Sequence, residues 1–191
     1  MNTLLETQLK RAKAAARLLK NMPTCTKNQA LDKIADALIA HSDEILEANK
    51  KDMAHAKEVN MTKAMQDRLL FTHERIVGVS EGVKKVATLP DPIGEVMESW
   101  TRPNGLKISK VRVPIGVFGI IYEARPNVTV DIASLCLKSG NACVLRGGKE
   151  AIHTNKKLVE IMKDATKDIL PEGAIELITE LDHAIVGELI H

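Results

Sequence analysis

Four residues of this chain could do chemistry together if two of its turns lie side by side. Arg125 and Asn127 belong to the turn Tyr122-Glu123-Ala124-Arg125-Pro126-Asn127, and Arg146 and Lys149 to the turn Arg146-Gly147-Gly148-Lys149-Glu150. Each turn follows an apolar run of strand character and precedes a helical pattern. Three cations and an amide beside two helix N-termini would make an anion site, because free N–H groups at a helix start carry partial positive charge and guanidinium groups grip phosphate in two places. A phosphorylated cofactor or substrate is the natural ligand. Neither GxGxxG nor GxxxxGK[ST] is present: Gly116-Val117-Phe118-Gly119 sits at the start of a strand, and a Gly-Gly pair occurs in many turns. The residues alone therefore leave a nucleotide site and a solvated rim both open.

The elements that must hold these turns alternate strand and helix. Val117 to Ile121 is continuously apolar, as expected for a strand covered on both faces. Pro126 suits the first turn of a helix running through Val128, Val130, Ile132, Ala133, Leu135, Cys136 and Leu137, and Gly140 suits its left-handed end. A second strand follows from Ala142 to Leu145. Gly147-Gly148 leads into a helix containing Ile152, Leu158, Val159, Ile161 and Met162, which closes before Pro171. Ile175 to Ile178 reads as a third strand, and Asp182 can cap a last helix through Ile185, Val186, Leu189 and Ile190. Such alternation implies right-handed crossovers and a parallel sheet, whose ligands bind at the carboxyl ends of the strands.

Before Pro90 only Pro23, Gly78 and Gly82 punctuate the chain, whereas glycine and proline crowd the next thirty positions, so a boundary falls near Leu89. Residues 1–89 read as helices. Leu5, Leu9, Ala12, Ala16 and Leu19 form a packed stripe; the basic residues around them resemble a presequence only weakly. Thr24 or Thr26 can cap a second helix buried through Leu31, Ile34, Ala35 and Leu38. Ser42, Thr62 and Thr72 can cap three more, the last buried through Ile76, Val79, Val83 and Val86. Asp43, Glu44, Glu47, Lys50, Lys51 and Asp52 read as a wet helix face, and His41, His55 and His73 as dispersed surface residues. Residues 90–113 read as a linker and a β-hairpin, EVMESWT and LKISKVRV about the turn Arg102-Pro103-Asn104-Gly105. A lone hairpin is marginal, so it is expected to pack on a neighbour or a second subunit, with Trp100 a candidate anchor. Residues 114–191 form the α/β part.

Composition narrows the function classes. With 191 residues, 45% of them hydrophobic, 27% charged and a net charge of +2, the chain suits a soluble globular fold without a nucleic-acid footprint or a membrane span. Cys25, Cys136 and Cys143 match no disulfide framework and no metal spacing, which fits a reducing cytoplasm and no metal site. Cys136 and Cys143 read as small core residues without a partner that would activate a thiol.

The stretch VPIGVFGIIYEARPNVTVDIASLCLKSGNACVLRGGKEA resembles the γ-glutamyl phosphate reductases, a proline-biosynthesis branch of the aldehyde dehydrogenase superfamily. IYEARPN and LKSGNACVLRGG carry the likeness, which extends back through EANKKDM and DRLLFTHERI and forward through LPEGAIELI. The fold this implies is α/β and aldehyde-dehydrogenase-like, with N-terminal helices and a β-hairpin leading into a partial Rossmann-like parallel sheet. The implied reaction uses NADPH to deliver hydride to a thioester, formed when a cysteine displaces phosphate from γ-glutamyl phosphate; glutamate-5-semialdehyde is the product. By the same resemblance Asn127 takes the place of the amide that stabilises the oxyanion, and Arg146 that of a basic residue near the adenosine ribose. Arg146-Gly147-Gly148-Lys149-Glu150 becomes the cofactor turn, with Arg146 and Lys149 favouring a 2′-phosphate, although a small residue is the family expectation at 149. Arg125 is assigned to the substrate's phosphate or carboxylate, with an ion pair to Glu123 or Asp131 as its structural alternative. The resemblance further implies that the catalytic cysteine lies in a domain beyond His191, that the chain is a truncated cofactor-binding portion inactive alone, and that the full-length enzyme is a homo-oligomer. A superfamily enzyme for another aldehyde or acyl phosphate, and a non-catalytic nucleotide-binding or assembly module, stay open beside it.

Overall fold

Apolar residues recurring every three or four positions make the first ninety residues helical, and the computed structural model shows which faces they bury. It describes residues 3–180 together with Gly187, so the helix expected from Asp182 lies outside the described residues. The helices are α1 (Thr3–Leu19), α2 (Thr24–Ala40), α3 (Ser42–Glu58), α4 (Lys63–Leu69) and α5 (His73–Thr88). Leu5, Ala12, Ala16 and Leu19 of α1 and Leu31, Ile34, Ala35 and Leu38 of α2 are buried as their spacing predicts. Full burial of each such leucine or isoleucine stabilises by about 1.5–3 kcal/mol. In α5 the buried set is Ile76, Ser80, Val83 and Ala87, with Val79 and Val86 half-buried beside it. The Ser80 hydroxyl is satisfied there by donating to the Ala35 carbonyl at 2.9 Å.

Two expected caps hold and two do not. Thr62 accepts from the Met65 N–H at 3.3 Å and Thr72 from the Arg75 N–H at 3.2 Å. Helix α2, however, starts from Pro23 in an extended conformation, and neither Thr24 nor Thr26 caps it; the Thr24 hydroxyl donates to Asp91 at 2.7 Å instead. Ser42 also fails as a cap, because α2 and α3 share His41 as their junction and Ser42 is already the first residue of α3. A one-residue junction leaves no extended position from which a hydroxyl could reach back to the N–H groups.

The hairpin pairs β1 (Val96–Thr101) with β2 (Lys107–Val111) antiparallel, as read from the sequence. Residues of β1 are exposed on both faces. The parallel sheet is built from β3 (Val117–Ile121), β4 (Ala142–Arg146) and β5 (Ile175–Leu177) in that spatial order. Helix α6 (Pro126–Lys138) connects β3 to β4. A short 3-10 turn over Lys149–Ala151 and then α7 (Ile152–Thr166) connect β4 to β5. Gly140 ends α6 at φ +70°, and a Cβ there would press on Pro114 at 3.1 Å, so both conformation and space require glycine.

The expectation that β3 is covered on both faces is corrected. Complete coverage belongs to β4, every residue of which is buried, whereas β3 is half-exposed and Ile121 retains 45% of its surface. Strand order is the cause: β4 lies in the middle and β3 at an edge. One apolar cluster joins α1, α2, α5, α6 and α7 to β4 and β5, so the helices before Leu89 and the α/β segment share a core.

Candidate functional site

Parallel pairing brings the two turns together. Ile121 is level with Arg146, and the Tyr122 N–H donates to the Arg146 carbonyl at 3.1 Å, so both strands end at the same height. The closeness of the turns depends on glycine. A Cβ on Gly147 would lie 2.3 Å from the Asn155 amide and 3.1 Å from the Tyr122 ring; one on Gly148 would lie 2.5 Å from the Glu150 carboxylate and 3.2 Å from the Ala124 nitrogen. Beneath them runs a proton-ordered chain. Thr129 donates to the Asn155 side-chain oxygen at 2.8 Å, so at the 2.7 Å contact with Tyr122 it is the phenol that donates. Burial pushes the Tyr122 phenol up to about 12, which keeps it a neutral donor.

The start of α7 contradicts part of the sequence reading. Asp52, expected on a wet face, is 2% exposed. Its carboxylate accepts from the His153 N–H at 3.1 Å, the Thr154 N–H at 2.8 Å and the Thr154 hydroxyl at 2.6 Å. Asn49, one turn earlier, donates to the Leu69 carbonyl at 2.9 Å and to Thr154 at 3.1 Å, and accepts from the Phe71 N–H at 2.8 Å. The signal was present in the spacing: Ile45, Ala48, Asn49, Asp52 and Ala56 form the buried stripe of α3. A helix N-terminus expected to offer its N–H groups to an anion is thus already occupied by a carboxylate of the protein.

The four candidates are not equivalent. Arg125 and Lys149 are exposed. Arg146 is 7% exposed and donates to the Gly147 carbonyl at 3.1 Å, so it braces the turn from within. Among the described residues no ion pair joins Arg125 to Glu123 or Asp131. Asn127, half-buried in the first turn of α6, donates to Asp131 at 3.1 Å. That bond uses one of the two N–H groups of the amide. Burial raises the Asp131 carboxyl above its ordinary range, against the bond from Asn127 that lowers it.

Arg125 and Asn127 line a cleft of about 460 Å3 whose far wall is the α4–α5 connection, with Asp67, Arg68, Phe71 and Arg75. A neighbouring cavity of about 550 Å3 is lined by Tyr122, Glu123, Arg125, Gly148 and Glu150, and again by Arg68. The sequence reading missed this wall. Arg75 holds it in shape by donating to the Asp67 carbonyl at 2.5 Å, the Leu70 carbonyl at 2.7 Å and the Asp67 carboxylate at 2.9 Å. No periodicity marks these residues; only their place in DRLLFTHERI could have singled them out.

A dinucleotide fits what is present: a glycine turn with no room for side chains, an exposed Lys149, and Gly148 and Glu150 half-exposed at the mouth of a cavity. The thiols are less suited to catalysis. Cys136 and Cys143 are buried, and the Cys143 thiol is pushed well up by its neighbour Cys136 and by burial. Cys25 is exposed on the first turn of α2. Among the described residues no group of three or more His, Cys, Asp or Glu could hold a metal ion, and no helix is long and apolar enough to cross a membrane.

Comparison with known proteins extends this picture. The chain is 56% identical over 168 residues to a γ-glutamyl phosphate reductase of Clostridium novyi, covering 87% of this chain and 40% of that protein. The crystal structure of γ-glutamyl phosphate reductase from Thermotoga maritima superposes with a TM-score of 0.96 at 43% identity, over 98% of this chain and 45% of that one. The corresponding structure from Saccharomyces cerevisiae gives 0.87 at 33% identity, over 96% of this chain and 52% of that one. The chain thus spans roughly half or less of the length of these relatives. The model of the aldehyde dehydrogenase family matches residues 3–191, and with the parallel sheet, the hairpin and the paired turns in place, the chain belongs to that family.

Proposed function

We propose that this chain is the cofactor-binding portion of an NADPH-dependent γ-glutamyl phosphate reductase of proline biosynthesis, which releases phosphate and glutamate-5-semialdehyde. The observation that carries the reading is the parallel register that ends β3 and β4 level and so sets the turn before Asn127 beside the Gly147-Gly148 turn, in a chain 56% identical to a relative of that name. Bound NADPH would supply hydride. The residues of this chain hold and polarise: Gly148, Lys149 and Glu150 form the cofactor turn, Arg146 stiffens it through the Gly147 carbonyl, and Lys149 takes the 2′-phosphate. Asn127 donates its remaining amide N–H to the oxygen of the acyl group, and Asp131 holds the amide in place. Such a donor matters most where negative charge develops on that oxygen, in a site screened from water. Burial disqualifies Cys136 and Cys143 as nucleophiles, and the exposed Cys25 lines neither cavity, so the isolated chain binds cofactor and does not turn over.

Calorimetry with NADPH and NADH tests the reading. The chain should prefer NADPH, and Lys149→Ala should weaken NADPH by about tenfold or more while leaving NADH nearly unchanged, since one charge-assisted phosphate contact is removed. Equal affinities for the two cofactors in the parent would refute the 2′-phosphate role. No binding of either would favour a non-catalytic assembly module. Sustained phosphate-dependent turnover of glutamate-5-semialdehyde with NADP by the purified chain would refute the cofactor-portion reading.

A further inference from the structure

We infer that Arg68 and Arg125 form a two-arginine clamp for the phosphate of an acyl phosphate, at the junction of the two cavities. The inference rests on the reductase reading and adds a residue, Arg68, and a ligand group to it. Both arginines line the cleft that contains Asn127 and also the cavity bordered by Gly148 and Glu150, so they form the saddle between them. They come from opposite walls: Arg68 from α4 and Arg125 from the position before α6.

Neighbouring arginines differ in what they already hold. Arg75 is committed to Asp67 and to two backbone carbonyls, whereas among the described residues neither Arg68 nor Arg125 has a carboxylate within ion-pair distance. In the cleft, Asp67 is matched by Arg75, and Asp131 accepts from Asn127 with its carboxyl raised by burial. With Asp67 matched by Arg75, the guanidinium groups of Arg68 and Arg125 share that side with one carboxylate, Asp131, and positive charge is in excess there. The other cavity is lined by the same two arginines together with two carboxylates, Glu123 and Glu150, so of the two sides the one with Asn127 is the more positive and is where an anion belongs.

The chemistry selects a phosphate. In an acyl phosphate the phosphorus is separated from the carbonyl carbon by one oxygen, so a clamp beside the oxyanion amide meets the leaving group rather than the far end of the molecule. Two planar forks match a dianion better than they match a single carboxylate. When a cysteine thiolate, the nucleophile of the reductase reading, forms its bond to the acyl carbon and the acyl C–O bond breaks, the electron pair leaves with the phosphate oxygen, and the clamp stabilises the charge gathering there. Arg68 and Arg125 contact the substrate and are specificity-determining.

Titration of the chain with inorganic phosphate, followed by calorimetry and phosphorus NMR, tests the clamp. Saturable binding is expected, about tenfold weaker in Arg68→Gln and in Arg125→Gln, partly recovered in Arg125→Lys, and unchanged in Lys33→Ala, an exposed residue of α2 that lines neither cavity. L-Glutamate serves as the carboxylate arm. If the arginine variants weaken glutamate and not phosphate, or if parent and variants bind phosphate alike or not at all, the inference is overturned. Because both side chains are exposed, the variants should melt with the parent, which keeps a binding loss separate from misfolding. Failure of the cofactor reading is read separately, as absence of NADPH binding while phosphate binding persists.

Discussion

At the scale of single residues, the charged groups that matter most here are the ones that are not in water. Asp52 replaces solvent at the start of α7 and accepts three hydrogen bonds there. Removing it would leave the buried Thr154 N–H and hydroxyl and the partly buried His153 N–H without their acceptor. Each unsatisfied group costs about 1–3 kcal/mol, so Asp52→Ala should lower the unfolding free energy by about 3 kcal/mol or more in urea titrations. Asp52→Asn, which keeps one acceptor oxygen, should lose less. A loss below about 0.5 kcal/mol for alanine, typical of surface positions, would return Asp52 to the wet face its neighbours occupy. The same logic separates Arg146 from Lys149: one is buried and bonded to the turn's own backbone, and the other is exposed.

Between elements, the linker before the hairpin is pinned by buried charge. Lys27 of α2 is 2% exposed and forms an ion pair with Asp91. Asp91 also accepts from the Thr24 hydroxyl at 2.7 Å and the Ile93 N–H at 3.0 Å. Nearby, Lys138 at the end of α6 donates to Asn28 at 2.7 Å and to the Ala87 carbonyl at 2.8 Å. Burial pushes the Asp91 carboxyl up, but the bonds from Lys27, Thr24 and Ile93 outweigh it and hold the value below the ordinary 3.8. A carboxylate depressed on folding contributes stability that is fully present above 3.8 and lost as pH falls through its lower folded value. Asp91→Asn should therefore lower stability at neutral pH and flatten the acid limb of a melting-temperature profile below about pH 4. A parallel downward shift at every pH, with the acid limb unchanged in shape, would show that Asp91 acts through packing alone.

For the molecule as a whole, the hairpin stands apart from the shared core. Its strands are exposed on both faces, and Val96, Met97, Trp100, Leu106 and Val111 each keep more than 40% of their surface. A two-stranded ribbon with unpaired edges gains little alone, and a second copy supplying an edge and an apolar face would stabilise it. The expected result in sedimentation equilibrium is a mass above that of one chain, falling toward one chain in Trp100→Glu. A monomeric parent at high concentration would remove the hairpin as a self-association surface for this chain.

What the sequence determined by itself was set by short-range rules. Helical stripes, the Arg102-Pro103-Asn104-Gly105 turn, the caps at Thr62 and Thr72, the start of α6 at Pro126 and its end at Gly140 all depend on residues a few positions apart, and all are legible in the chain. The tertiary structure decided what depends on distant partners. Strand order put β3 at an edge and buried β4. Asp52 met α7 from about a hundred positions away, and Arg68 of α4 came to line the same two cavities as Arg125. Each is a matter of desolvation and charge pairing between segments remote in sequence. The two turns read first as one rim of three cations are, in the folded chain, a buried brace at Arg146, an exposed Lys149, and a cleft whose second wall comes from the helices.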